Sequence, residues 1–178
     1  MALFEITPES FRPIDQTSLI DMKLKERGDL QRLLRSQIEV LDPELYVISE
    51  EFGDWEDSKR RIDLLAVDKQ GNLVVIELKR TPDGGHMELQ AIRYASMVSS
   101  MTFERASQIH ALFLQAKGHS PDEAESRLLE FLGWEEPDEE AFANDVRITL
   151  VSENFGIELT DRDTLTGPVA TLGSGDWF

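Results

Sequence analysis

Cysteine is absent from the 178 residues. That excludes a disulfide scaffold, a zinc–thiolate site and a thiol nucleophile. Long apolar runs are absent too, and none approaches the ~20 residues that span a bilayer. The N-terminus MALFEITPES lacks the basic-then-apolar plan of a signal peptide, which predicts a cytoplasmic protein. Histidine is scarce, and His86, His110 and His119 lack metal-ligand spacing. Each reads as structural or exposed, with only His86 close in sequence to the segment of interest below. Positive charge is scarce as well: 18 Lys and Arg stand against 35 Asp and Glu, a net charge of −17. Such a balance argues against broad electrostatic attraction to nucleic acid. What remains is 40% apolar and 30% charged, the profile of one globular domain with a sizeable core.

The charge is unevenly spread. Residues 1–118 hold 20 acids and 15 bases, and residues 119–178 hold 15 acids and 3 bases. Bases gather at Lys59, Arg60 and Arg61, and again at Lys79 and Arg80. They are either a local positive rim on an acidic body or the solvated flanks of a hairpin.

That hairpin is the segment RRIDLLAVDKQGNLVVIELKR. Ile62 to Val67 and Leu73 to Leu78 are rich in Val, Ile and Leu, as strands are. Between them, Asp68-Lys69-Gln70-Gly71-Asn72 has the Gly and Asn of a turn. A hairpin symmetric about Gln70 sets Val67 against Leu73 and Asp63 against Glu77. Directly opposed residues have Cβ atoms roughly 4.5–5.5 Å apart. Two carboxylates that close repel unless a cation lies between them. Glu77 and Lys79, two apart, share one face, so Lys79 sits beside that cation. A register slip of one residue would separate the acids.

Around the hairpin, Leu3 to Ile6 reads as a short strand, followed by an irregular connection marked by Pro8 and Pro13. A helix is predicted from near Asp21 to about Leu41, because Leu30, Leu33, Leu34, Ile38 and Leu41 keep helical period. Glu26 lies on that stripe, and Gly28 weakens the helix there. Leu45 to Ser49 reads as a strand and Glu50 to Asp57 as a loop. After a break at Thr81 to Gly85, a helix over His86 to Ser100 places Gln90 and Tyr94 on one face. Phe103 to Lys117 is helical. Ser120-Pro121-Asp122-Glu123 opens another helix, with Ser as N-cap, that ends near Leu132 before Gly133. Trp134 to Ala143 is an acidic loop and Val146 to Val151 a strand. The order is αβββαβ with an inserted helical pair. The antiparallel hairpin makes the central sheet mixed. Residues 1–155 form the domain, and 156–178 a tail: free, partner-binding or an added strand.

Element order and charged residues together resemble the PD-(D/E)XK nuclease superfamily, and within it the branch of small proteins related to the NucS endonuclease. The resemblance rests on ERGDLQRLL, RRIDLLAVDKQGNLVVIELKR, LQAIRY and VRITLVSENF, within residues 26–155. It implies a restriction-endonuclease-like α/β core. Asp63 and Glu77 match the metal-binding acids and Lys79 the lysine that positions or activates water. Glu26 matches the helical glutamate that often completes the metal site, and Gln90 and Tyr94 the helix motif bordering it. The backbone carbonyl of Leu78 would be a further ligand. The implied ion is magnesium, for which manganese substitutes. The implied partner is DNA, and a symmetric dimer would suit cutting two strands. Two features depart from the family: the strong acidity, and residues 159–178, where relatives usually add a helix.

Plainer readings exist for each residue. Asp63 and Glu77 would otherwise form a core ion cluster with Lys79 and Arg61, although burying several charges for stability alone is rarely favourable. Lys79-Arg80 would mark a strand end, Glu26 a frayed helix start, and Gln90 and Tyr94 ordinary helix positions. Trp55, Trp134 and Trp177 read as packing or tail residues. Glu135 to Glu140 reads as a solvated loop. The rival functions are a nuclease-like module that no longer cuts, and an interaction protein whose acidic C-terminal third docks a basic partner.

Overall fold

The computed structural model describes residues 3–15, 17–18, 21–53, 61–79, 87–152 and 169–172. The expected break at Thr81 to Gly85, His86, Lys59, Arg60, Arg80, Trp55 and Trp177 lie outside them. The chain is α/β, with a mixed sheet flanked by helices. Five strands lie in chain order: β3 (Leu45–Phe52), β4 (Ile62–Asp68), β5 (Leu73–Lys79), β6 (Val146–Ser152) and β7 (Val169–Leu172). All neighbours are antiparallel except β5 and β6, which run parallel. Their crossover carries α2 (Met87–Val98), α3 (Phe103–Ala116) and α4 (Ala124–Leu132). Strand β7 falls inside the segment 156–178 and extends the sheet at β6. No helix among the described residues is long and apolar enough to cross a membrane.

Strand alternation divides the core. Leu65, Val67, Leu73 and Val75 pack against Tyr94, Val98, Phe103, Ala106 and Leu128, under helices α2 to α4. Leu64, Ala66, Val74, Ile76 and Leu78 pack with Leu34 and Ile38 on the other face. Every residue of β4 is buried, which is why it reads as a continuous apolar run broken only by acids.

The hairpin register pairs Leu64 with Ile76, Leu65 with Val75, Ala66 with Val74 and Val67 with Leu73, symmetric about Gln70 as expected. Its turn is held by a buried carboxylate. Asp68 Oδ1 accepts from the Gln70 and Asn72 amides at 3.0 and 2.9 Å. Its Oδ2 accepts from Asn72 Nδ2 and from Arg147 of β6, both at 3.2 Å. Gly71 closes the turn at φ +85°, a left-handed conformation that suits glycine. A Cβ there would also lie 3.0 Å from the Trp134 ring. Trp134 is therefore a packing residue, with Phe103 and Phe142 beside it.

Four expectations need correction. The helix predicted over Asp21 to Leu41 is instead a π-helical turn (Glu26–Leu30), a six-residue α1 (Gln31–Ser36) and a 3-10 turn (Ile38–Val40). The backbone leaves the helix at Gln37, φ −142°. Leu34, Ile38 and Leu41 still reach the core, so the apolar period marks burial rather than one continuous helix. Secondly, the connection around Pro13 holds a strand: β2 (Phe11–Ile14) pairs with β1 (Leu3–Ile6). Proline is tolerated because both strands of a two-stranded sheet are edges. Thirdly, β3 runs on to Phe52, with a bulge between Val47 and Ser49, where a loop from Glu50 was expected. Lastly, Ser120 makes no side-chain cap, and a 3-10 turn (Pro121–Glu123) precedes α4.

The acidic loop is mostly exposed, yet Glu139 caps α3 by accepting from the Phe103 and Glu104 amides at 2.8 and 3.1 Å. The bulge in β3 is held by buried His110. Its Nδ1 contacts the Ile48 carbonyl at 3.1 Å, so Nδ1 carries the proton. Nε2 then accepts from the Tyr46 hydroxyl at 3.0 Å. Burial chiefly lowers the His110 pKa below its ordinary 6.5, with nearby Arg127 adding to this and the Ile48 bond opposing it. The unfolded chain thus binds the extra proton first as pH falls below that ordinary value. Stability is full above it and declines as pH drops towards the folded value, by at most about 1.4 kcal/mol per pH unit. Urea unfolding between pH 7.5 and 5.5 should show a steeper loss in wild type than in His110→Gln. Equal slopes would show that His110 does not carry the effect.

Candidate active site

The ends of β4 and β5 that carry the acids lie away from the Asp68 turn. Extending the observed register by one pair from Leu64 and Ile76 sets Asp63 opposite Glu77. Glu77 lies on the face under α2, where Gln90 reaches it. Asp63 is 4% exposed and Glu77 1%. Asp63 Oδ2 accepts from the Leu78 backbone N–H at 2.9 Å, which locks its carboxylate across the strand pair. Glu77 Oε2 accepts from Gln90 Nε2 at 3.4 Å, and the same amide lies 3.1 Å from the Tyr94 hydroxyl. Gln90 and Tyr94 sit one turn apart on α2, so a single helix face closes over Glu77.

Other predicted residues are placed by their backbone. Lys79 ends β5 and pairs in register with Ser152 of β6. Glu26 opens the π-helical turn, which packs against β5. The side chains of Lys79 and Glu26 lie outside the described residues. Leu78 turns its side chain to the α1 face, leaving its main chain beside Asp63. The structure thus brings Glu77, Gln90 and Tyr94 together, and sets the Asp63 carboxylate on the backbone of Leu78, the residue after Glu77.

Two residues escaped the sequence reading. Ser152 is buried and is the register partner of Lys79 across the parallel pair. Its signal was a polar residue directly after an apolar strand. Gln31, 3% exposed, donates from Nε2 to the Asp63 carbonyl at 2.8 Å. Its signal was a polar residue on the helical stripe, three before Leu34 and seven before Ile38.

The site lies at the carboxyl ends of β5 and β6, where parallel strands present ligand sites. Among the described residues no group of three or more His, Cys, Asp or Glu side chains gathers. The donors present are two carboxylates, whose oxygens are hard ligands. They fit magnesium, which binds through one or two carboxylates and keeps several waters. Arg61 before β4 and exposed Arg93 on α2 are the described bases nearest in sequence to these elements. No family model, curated protein or solved structure matches the chain.

Proposed function

We propose that the protein is a metal-dependent deoxyribonuclease with a restriction-endonuclease-like core of the PD-(D/E)XK type. One observation carries the reading: two buried carboxylates, Asp63 and Glu77, stand at the ends of adjacent hairpin strands, Glu77 under a helix face bearing Gln90 and Tyr94. Burying two acids together is costly and serves stability poorly, whereas holding a cation gives the arrangement a purpose.

In this reading Asp63 and Glu77 hold magnesium or manganese, with the Leu78 carbonyl and Glu26 as further ligands. The ion, when bound, polarises a phosphoryl oxygen and lowers the pKa of water. Lys79 orients the attacking water and offsets charge on the phosphate. Gln90 holds Glu77 in place, and Tyr94 fixes Gln90. DNA is the substrate, in the cytoplasm, and a dimer would cut both strands.

The net charge of −17 favours a second reading, a nuclease-fold module that binds in a repair or defence complex without cutting. Incubation with single-stranded, duplex and branched DNA plus magnesium or manganese separates the two. Metal-dependent cleavage supports the enzyme. No cleavage of any substrate, with metal binding absent as well, supports the module.

A further inference from the structure

Asp63 lies one residue beyond the last pair of the β4–β5 ladder, while β4 still pairs with β3 on either side of it, at Ile62 and Leu64. At that point two bonds converge on it. The Leu78 N–H holds the carboxylate at 2.9 Å, and Gln31 Nε2 holds the carbonyl at 2.8 Å. Gln31 reaches it from the opposite face of the sheet, as the first residue of α1. An apolar residue at 31 would suit a helix whose neighbours Leu30 and Leu34 pack into the core. A buried amide there has to be matched by a hydrogen bond, and the Asp63 carbonyl supplies it.

We propose that Gln31 is a positioning residue for Asp63: it pins the main chain so that the Leu78 bond sets the carboxylate in one orientation. The proposal rests on the metal-dependent reading for its purpose, but not for its geometry. Clamping the backbone on one side and the carboxylate on the other removes the freedom that most weakens a metal ligand. Because the amide is neutral, it orients Asp63 without changing the site's charge. Gln31 also follows directly on the turn Glu26–Leu30. One bond therefore ties the element bearing Glu26 to the strand bearing Asp63.

Two measurements test this on the full chain. The first is Mn²⁺ titration followed by electron paramagnetic resonance in wild type, Gln31→Met and Leu34→Ala. Gln31→Met keeps the length of the side chain and removes the donor. Leu34→Ala loosens the same helix without touching Asp63. Expected is Mn²⁺ affinity about 10–100-fold weaker in Gln31→Met and close to wild type in Leu34→Ala. The second is hydrogen exchange at the Leu78 amide, read by NMR without metal. It should quicken in Gln31→Met relative to the Ile76 amide.

Unchanged exchange at Leu78 together with unchanged Mn²⁺ affinity would overturn the proposal, as would equal loss in Leu34→Ala. Wild type that binds no Mn²⁺ while Leu78 exchange still responds to Gln31→Met would reject the metal reading and keep the positioning role. Should Gln31→Met fail to fold, Gln31→Asn, which withdraws the amide by one methylene, is read in the same way.

Discussion

Glu77→Ala is expected to abolish metal-dependent DNA cleavage while leaving the fold intact. Glu77 is 1% exposed, at the end of a strand whose other inward residues are apolar. Metal ions supply several kcal/mol of transition-state stabilisation, so loss of a ligand should lower the rate by about 100-fold or more. The isosteric Glu77→Gln separates charge from shape. It keeps a group that Gln90 can bond, and should lose nearly as much activity as Glu77→Ala. Cleavage rates at several magnesium concentrations, with circular dichroism to confirm folding, measure both. Cleavage that survives Glu77→Ala would reject the assignment.

Phe103→Ala should cause a large loss of stability. Phe103 is 1% exposed and begins α3, packed edge-on against Phe142 at 5.4 Å and tilted against Trp134 at 6.1 Å. Removing a buried phenyl ring leaves a cavity and costs about 3–5 kcal/mol. Against a typical total of about 5–15 kcal/mol, that is a large share. The loss should be broad, because Phe103 joins the α3–α4 pair, the acidic loop and the sheet in one cluster with Tyr94. Urea unfolding checks it, and a loss below about 1 kcal/mol would mean the ring packs far less tightly than this core requires.

The hairpin was legible because two signals agreed on it. Apolar strand composition and a Gly-Asn turn marked it, and the ladder follows the register symmetric about Gln70 from Val67–Leu73 to Leu64–Ile76. The face shared by Gln90 and Tyr94 was legible from spacing alone, since α2 is regular. The first helix was not. Leu30, Leu34, Ile38 and Leu41 recur at helical spacing, but that spacing reports which residues the sheet buries. Gln37 breaks the backbone between them. Strand β2 was hidden by Pro13, a residue that only an edge strand accepts.

Polar residues with structural tasks were the least legible. Asp68 looked like an ordinary turn residue, yet it holds the turn and ties it to Arg147 of β6. Glu139 looked like part of a solvated run, yet it caps α3 from 35 residues away. Gln31 looked like a helix position, yet it bonds Asp63 across 32 residues. Hydrogen bonds this distant in sequence leave no periodic trace, so composition and spacing pass over them.

The central claim is that Asp63 and Glu77 together hold a metal ion. Anomalous diffraction from crystals grown with Mn²⁺ tests it most directly. The account predicts one strong peak between the two carboxylates, within coordination distance of an oxygen of each. A well-ordered site with no peak there, the carboxylates engaged only by protein groups, would contradict it.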